Sequence, residues 1–257
     1  MRRAGLALVL GLLVVGVATC TPASATGTFT TPAPAALLLS TAAPVTDAPP
    51  VRVVPRSGTL ALTFDDGPDP RWTPVLLDIL DAYGVKATFF VLGWKVDAYP
   101  YLAREIVARG HSLQVHSYQH FNLTTLSDAR VTRELQHTSD AIRRATGVVP
   151  TCFRPPGGYT NRRVRTLAAS LGFTQVLWSA DSGDYSHQST AALRAWAVRT
   201  PWHSGDVALG HEIWGSIWQY ALGDAIQTIR SRNLSFDTIC EDLTPGDLLF
   251  LPSLLPE

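Results

Sequence analysis

Asp65 and Asp66 stand side by side at the end of the apolar run Leu62-Thr63-Phe64, just before Gly67-Pro68, where a strand-like segment is about to turn. Adjacent carboxylates repel each other unless a cation, an arginine or a shared proton lies between them. An Asp-Gly turn with a helix cap would account for the dipeptide on its own. Further along, His116-Ser117-Tyr118-Gln119-His120 sets two imidazoles four residues apart. On a helical turn that spacing brings both rings to one side, as metal ligation needs, although solvated or core histidines show it too. Two His and one Asp, with positions left open to water, form the donor set of a catalytic zinc or similar divalent site. One carboxylate suffices as a ligand, which frees the other to act as a base.

These groups need elements to hold them. Strand-like apolar runs cover 59–64, 87–92, 112–115, 151–153, 174–178, 207–209 and 235–239. Between them, stretches with apolar residues at helical spacing cover 74–83, 101–109, 127–146, 162–171, 190–199 and 216–232, and Gly84, Gly110, Gly147 and Gly172 follow four of the ends. Strands alternating with helices predict a parallel α/β sheet, either doubly wound or closed into a barrel. Asp65 and Asp66 follow the first strand, His116 and His120 the third, Arg154 the fourth, Asp181 and Asp184 the fifth, and His211 the sixth. The carboxyl ends of parallel strands converge on one face, so the residues predict a single composite site.

The ordered segments Thr63-Phe64-Asp65-Asp66-Gly67, His116 to His120, Arg154-Pro155-Pro156-Gly157-Gly158, Asp181 to Tyr185 and Leu209-Gly210-His211 resemble the five motifs of the polysaccharide deacetylases with a NodB-type domain, carbohydrate esterase family 4. The resemblance spans roughly 60–243. It implies a distorted, incomplete (β/α) barrel of about seven parallel strands in one catalytic domain, and metal-dependent removal of acetyl groups from sugar polymers. Carried over residue by residue, it implies Asp66, His116 and His120 as ligands of a divalent metal, zinc foremost with Co2+ or another ion as substitutes. Asp65 is then the base, and Arg154 the cation that pairs with it, where a structural ion pair is the plain alternative. His211 is implied as the acid that protonates the departing amine, with Asp184 orienting it and Asp181 as the other candidate partner. The Gly157 N–H would stabilise the oxyanion, Leu209 would wall the acetyl pocket, and Tyr185 would line the groove. The implied substrate is an N-acetylglucosamine polymer, peptidoglycan or a chitin-like oligomer. O-deacetylation of xylan is the rival reaction, and a non-catalytic glycan-binding protein the rival class. The presence of both Asp65 and His211 speaks against the second rival.

Three positions depart from the pattern. Gly157 stands where Tyr is usual, Tyr185 where Trp is usual, and Glu212 where Asp is common. The oxyanion donor is a main-chain group and survives the first change, but the groove loses a ring. Trp94, Trp202, Trp214 and Trp218 are candidates to stack on sugar rings. Trp214, just after His211, is the preferred contact, whereas Trp178 reads as core within a strand.

The chain has 257 residues, 46% hydrophobic and 16% charged, with formal net charge zero. Such a balance offers no field for nucleic acid or an anionic membrane. No stable protein partner is expected, and a monomer is. Arg2 and Arg3 before an apolar stretch, with Ala23-Ser24-Ala25 behind it, read as a secretion signal over 1–25. Cys20 offers lipid attachment as an alternative. Residues 26–56, rich in Thr, Pro and Ala, read as a flexible tether, and 57–257 as the catalytic domain. The expected location is secreted or envelope-associated. Cleavage would leave Cys152 and Cys240, whose pairing an oxidising compartment would permit.

Overall fold

The computed structural model describes residues 51–53, 55–186, 189–241 and 248–250. The leader, Cys20 and most of the tether lie outside the described residues. At the edge of the tether, β1 (Val51–Val53) pairs antiparallel with β10 (Leu248–Phe250).

Nine strand residues, β2 (Thr59–Gly67), form the centre of the main sheet. Leu60, Ala61, Leu62 and Phe64 are all buried, as expected of a parallel strand covered on both faces. Chain order continues with α1 (Thr73–Ala82), β3 (Thr88–Val91), α2 (Gly93–Ala98), α3 (Pro100–Ala108), β4 (Ser112–Val115), α4 (Asp128–Thr146), β5 (Cys152–Phe153) and α5 (Arg162–Ser170). Then come β6 (Thr174–Gln175), β7 (Ala180–Asp181), α6 (Thr190–Arg199), β8 (Val207–His211), α7 (Gly215–Arg230) and β9 (Ser235–Phe236). The sheet runs β6-β5-β4-β3-β2-β8-β7, all parallel, with β9 added to the start of β2. It curls into a half-closed barrel, the distorted and incomplete (β/α) barrel that the motifs imply.

Side-chain alternation divides the molecule into two cores. Leu60, Leu62, Phe64, Phe89, Leu113, Val115 and Phe153 point outward and pack under the helices with Leu76, Leu77, Leu80, Leu135 and Ile226. Ala61, Phe90, Cys152, Val176 and Val207 point inward and fill the barrel with Ile239 and Cys240. Cys152 and Cys240 form a disulfide, with Cα atoms 5.9 Å apart. Followed towards the carboxyl ends, the inward positions become Asp65 on β2, His116 after β4, Arg154 after β5, and Leu209 and His211 on β8.

The structure corrects several expected elements. Strand 174–178 stops at Gln175, so Trp178 is a half-buried loop residue rather than a strand core residue. The two-residue β7 and the six-residue α2 are too short to show a period. Trp202 and Trp218 are buried at 6% and 1% exposure, which excludes both as surface platforms for a sugar. No described helix is long and apolar enough to cross a membrane.

Candidate active site

In a regular strand, neighbouring side chains face opposite ways, so Asp65 and Asp66 could not both reach one site. A β-bulge resolves this. Asp65 pairs with Phe90 and Gly67 with Val91, leaving Asp66 as the extra residue, at φ 70°. Aspartate tolerates this left-handed conformation better than most residues, and bulges re-aim side chains in this way. Lys95 Nζ donates to the Asp66 carbonyl at 2.7 Å, and the Leu92 N–H donates to the Gly67 carbonyl at 2.9 Å.

Asp66 then meets the two imidazoles. His116 and His120 do converge, but on a loop instead of the expected helical turn. Ser117 and His120 both adopt positive φ, at 65° and 62°, and the Ser117 hydroxyl accepts the His120 N–H at 3.0 Å. Glu134 on α4 receives the N–H groups of Tyr118 and Gln119 at 3.0 and 2.8 Å. The His116 Nδ1 faces the Arg154 carbonyl at 2.9 Å, which assigns the ring proton to Nδ1 and leaves Nε2 a lone pair. Burial holds the His116 pKa down at about 3, so the ring is neutral, as a ligand must be.

One ligand atom each from Asp66, His116 and His120 lies within 4.8 Å of the others. Asp66 Oδ1 is buried and accepts no hydrogen bond among the described residues. It stands 3.5 Å from His116 Nε2 and 3.3 Å from His120 Nε2. A carboxylate oxygen facing two imidazole nitrogens, one of them shown to lack a proton, fits a divalent cation.

Asp65 is held separately. Its Oδ1 accepts from Arg154 Nη1 at 2.7 Å, and Arg154 also donates to the Thr63 hydroxyl at 2.8 Å and the Leu177 carbonyl at 3.2 Å. The guanidinium is fully buried and lies over the Phe90 ring at 4.1 Å. Burial raises the Asp65 pKa above the usual carboxylate range, while Arg154 and then His211 oppose the rise. That direction suits a base working near neutral pH.

Opposite Asp65 in the sheet register is His211. Asp184, fully buried in a short 3-10 turn, faces His211 Nδ1 at 2.7 Å and accepts the His211 backbone N–H at 2.7 Å. Trp218 Nε1 donates to the same carboxylate at 2.6 Å. Burial lowers the His211 pKa, but the Asp184 hydrogen bond and charge, aided by Asp65 and Asp66, outweigh it and raise the value to about 9. Asp181 makes no such contact; it accepts from the Gly183 N–H at 2.8 Å. Between the two candidate partners of His211, the structure selects Asp184.

Around this centre, Gly157 is exposed at φ 61°, and its N–H has no acceptor among the described residues. Leu209 is buried on the inward face of β8. Tyr185 is exposed, with its ring edge-on to His211 at 5.8 Å. Trp94 is exposed, while Trp214 is half-buried and packed against the outer core.

Three positioning residues lie outside the motifs, Lys95, Glu134 and Trp218, and Thr63 lies within one that assigns it no role. Two carry a signal in the sequence. Buried positions on α4 run Val131, Glu134, Leu135, Thr138, Ala141 and Ile142, so Glu134 is an acid inside an apolar stripe. Trp218 opens the stripe Trp218, Ala221, Leu222, Ala225, Ile226 and Ile229 on α7, which places it in the core.

A family model described as polysaccharide deacetylase matches residues 52–176. A peptidoglycan-N-acetylglucosamine deacetylase of Bacillus cereus is 32% identical over 71% of this chain and 86% of its own. Chitin deacetylase 1 of Cryptococcus neoformans is 39% identical over 61% of this chain, which spans 32% of that longer protein. A family 4 carbohydrate esterase of Streptomyces lividans, solved in complex with acetate, superimposes with TM-score 0.66 at 36% identity, covering 70% of this chain and 91% of the other. A family 4 pseudoenzyme of Bacillus anthracis superimposes with TM-score 0.67 at 28% identity, over 72% of this chain and 64% of its own.

Proposed function

Because the chain belongs to the polysaccharide deacetylase family, we propose that it is an exported, divalent-metal hydrolase that removes the N-acetyl group from N-acetylglucosamine units of a glycan, peptidoglycan or a chitin-like oligomer. The observation that carries the reading is the register pair Asp65 and His211. A base held by Arg154 and an acid held by Asp184 sit across from each other on adjacent strands, beside the Asp66, His116 and His120 cluster.

Asp66, His116 and His120 would hold the cation, zinc foremost. When bound, such an ion acidifies water and polarises a carbonyl oxygen. Asp65 takes a proton from the attacking water through Oδ2, since Arg154 occupies Oδ1. The Gly157 N–H donates to the oxygen of the acetyl carbonyl as it gains charge. His211, protonated at neutral pH, gives its proton to the sugar nitrogen as the C–N bond breaks, releasing acetate and a free amine. An amine leaves poorly without that proton, and the Asp184 contact keeps His211 charged to supply it. Leu209 walls the space for the acetyl methyl, and Tyr185 and Trp214 flank the sugar.

The substrate names of the relatives support the N-acetylglucosamine reading. The predicted leader and the disulfide support an oxidising, extracytoplasmic location. Incubating the zinc-loaded chain with peptidoglycan, chitin oligomers and acetylxylan tests the proposal. New glucosamine amines in step with acetate are expected from the first two. Acetate from xylan alone would establish the esterase instead, and binding of glycan without any acetate would place the chain with the non-catalytic proteins.

A further inference from the structure

Glu212 carries a carboxyl that none of these roles uses. It is fully buried directly after His211, and burial pushes its pKa up to about 8 against the opposing pull of Thr73 and Lys95. The Thr73 hydroxyl, at the start of α1, hydrogen-bonds Oε2. Oε1 accepts no hydrogen bond among the described residues, an arrangement that costs stability. What that oxygen does touch is Gly67. A Cβ added at Gly67 would lie 1.5 Å from Oε1 and 2.2 Å from Cδ. Gly67 is absent from the positive-φ residues, so it is the end of the Glu212 side chain, and not the backbone angle, that a side chain there would displace.

Gly67 closes the bulge in which Asp66 takes its left-handed conformation, one that persists in a non-glycine residue only where the surroundings enforce it. Lys95 and the Leu92 N–H grip the bulge by its two carbonyls. The Glu212 carboxyl covers it at Gly67 and ties it through Thr73 to α1.

We propose that Glu212 is a positioning residue that, by filling the space over Gly67, fixes the bulge so that Asp66 faces His116 and His120. The inference rests on reading Asp66 as a metal ligand. It predicts a mutual dependence of positions 67 and 212 that appears in metal affinity.

The test is calorimetric titration of the metal-stripped chain with Zn2+, alongside the melting temperature of the metal-free protein. The variants are Glu212→Gln, Glu212→Ala, Gly67→Ala and the double variant Gly67→Ala/Glu212→Ala, with Asp66→Asn as control. Glu212→Gln, which keeps the shape and the Thr73 partner, should bind zinc within about twofold of the parent. Glu212→Ala should bind about tenfold more weakly, within the range for loss of a group that orients a ligand. Gly67→Ala should weaken binding in the parent and add little on top of Glu212→Ala, because the clash has gone. Unchanged affinity in Glu212→Ala, or an equal penalty for Gly67→Ala in both backgrounds, would overturn the inference. Should Glu212→Ala fail to fold, Gly67→Ala beside Glu212→Gln decides it: full affinity in the first or a tenfold loss in the second counts against. Absence of zinc binding by the parent chain would defeat the metal reading itself, and with it the role assigned to Glu212. Loss only in Asp66→Asn would leave the metal reading standing and defeat Glu212 alone.

Discussion

In the proposed reaction His211 carries the proton that is given away, and Asp184 sets how tightly it is held. A pKa raised to about 9 keeps the imidazolium form across neutral pH, so kcat/KM should lose its acid only above about 9. In Asp184→Asn the hydrogen bond to a charged acceptor is gone, and the alkaline limb should move down by about one unit or more. A pH profile of both proteins checks this; coincident alkaline limbs would contradict it. Linkage gives a second reading. The folded pKa lies above the ordinary value of 6.5, so the stability contributed by this pair is full below about 6.5 and is lost as pH rises through about 9. Melting curves between pH 6 and 10 should therefore fall more steeply for the parent than for Asp184→Asn. Under the proposed function Asp65 and Asp66 divide the work in the same local way: Asp66→Asn should weaken zinc binding, whereas Asp65→Asn should keep the metal and lose the rate. Equal loss of zinc in both would refute the division. The pair was legible in the sequence because adjacent acids at a strand end demand compensation. The bulge that turns both to one side was not, since a single left-handed residue leaves no periodic trace.

At the scale of elements, the loop 116–120 shows what spacing can and cannot say. A four-residue separation brings two rings together on a helix or in a tight loop, and five residues hold too little pattern to choose between them. The loop keeps its shape through Glu134, which supplies two N–H groups with their acceptor. Glu134→Ala should cost about 1–3 kcal/mol by leaving those donors unpaired and should also weaken zinc binding, with Glu134→Gln intermediate. Denaturant unfolding and a zinc titration measure both; a stability loss with unchanged zinc affinity would make Glu134 a packing residue only. Asp184 depends on α7 in the same manner, through the Trp218 indole. Trp218 and Trp214 lie four residues apart, but only Trp218 belongs to α7 and its buried stripe; Trp214 precedes the helix in a 3-10 turn and is half-buried.

At the scale of the molecule, the alternation of strands and helices and the clustering of Asp, His and Arg at strand ends were sufficient to read the architecture and the face of the site. Elements of two to six residues, β7 and α2, stayed hidden because they bury too few side chains to set up a period. The disulfide joins β5 to the segment after β9 and closes a loop of 88 residues. Replacing Cys152 and Cys240 by Ser should lower stability by about 3–4 kcal/mol, chiefly by freeing the unfolded chain. A chemical melt would show it, and a loss under about 1 kcal/mol would mean that the barrel interior holds itself. The central claim, that the inward-facing strand ends form one metal-dependent amide hydrolase, is tested most directly by acetate release from N-acetylglucosamine oligomers. The parent chain should release acetate and an equal amount of free amine when zinc is supplied, stop when a chelator removes it, and be inactive as Asp65→Asn despite binding zinc. Chelator-insensitive release, or turnover by Asp65→Asn equal to that of the parent, would contradict the account.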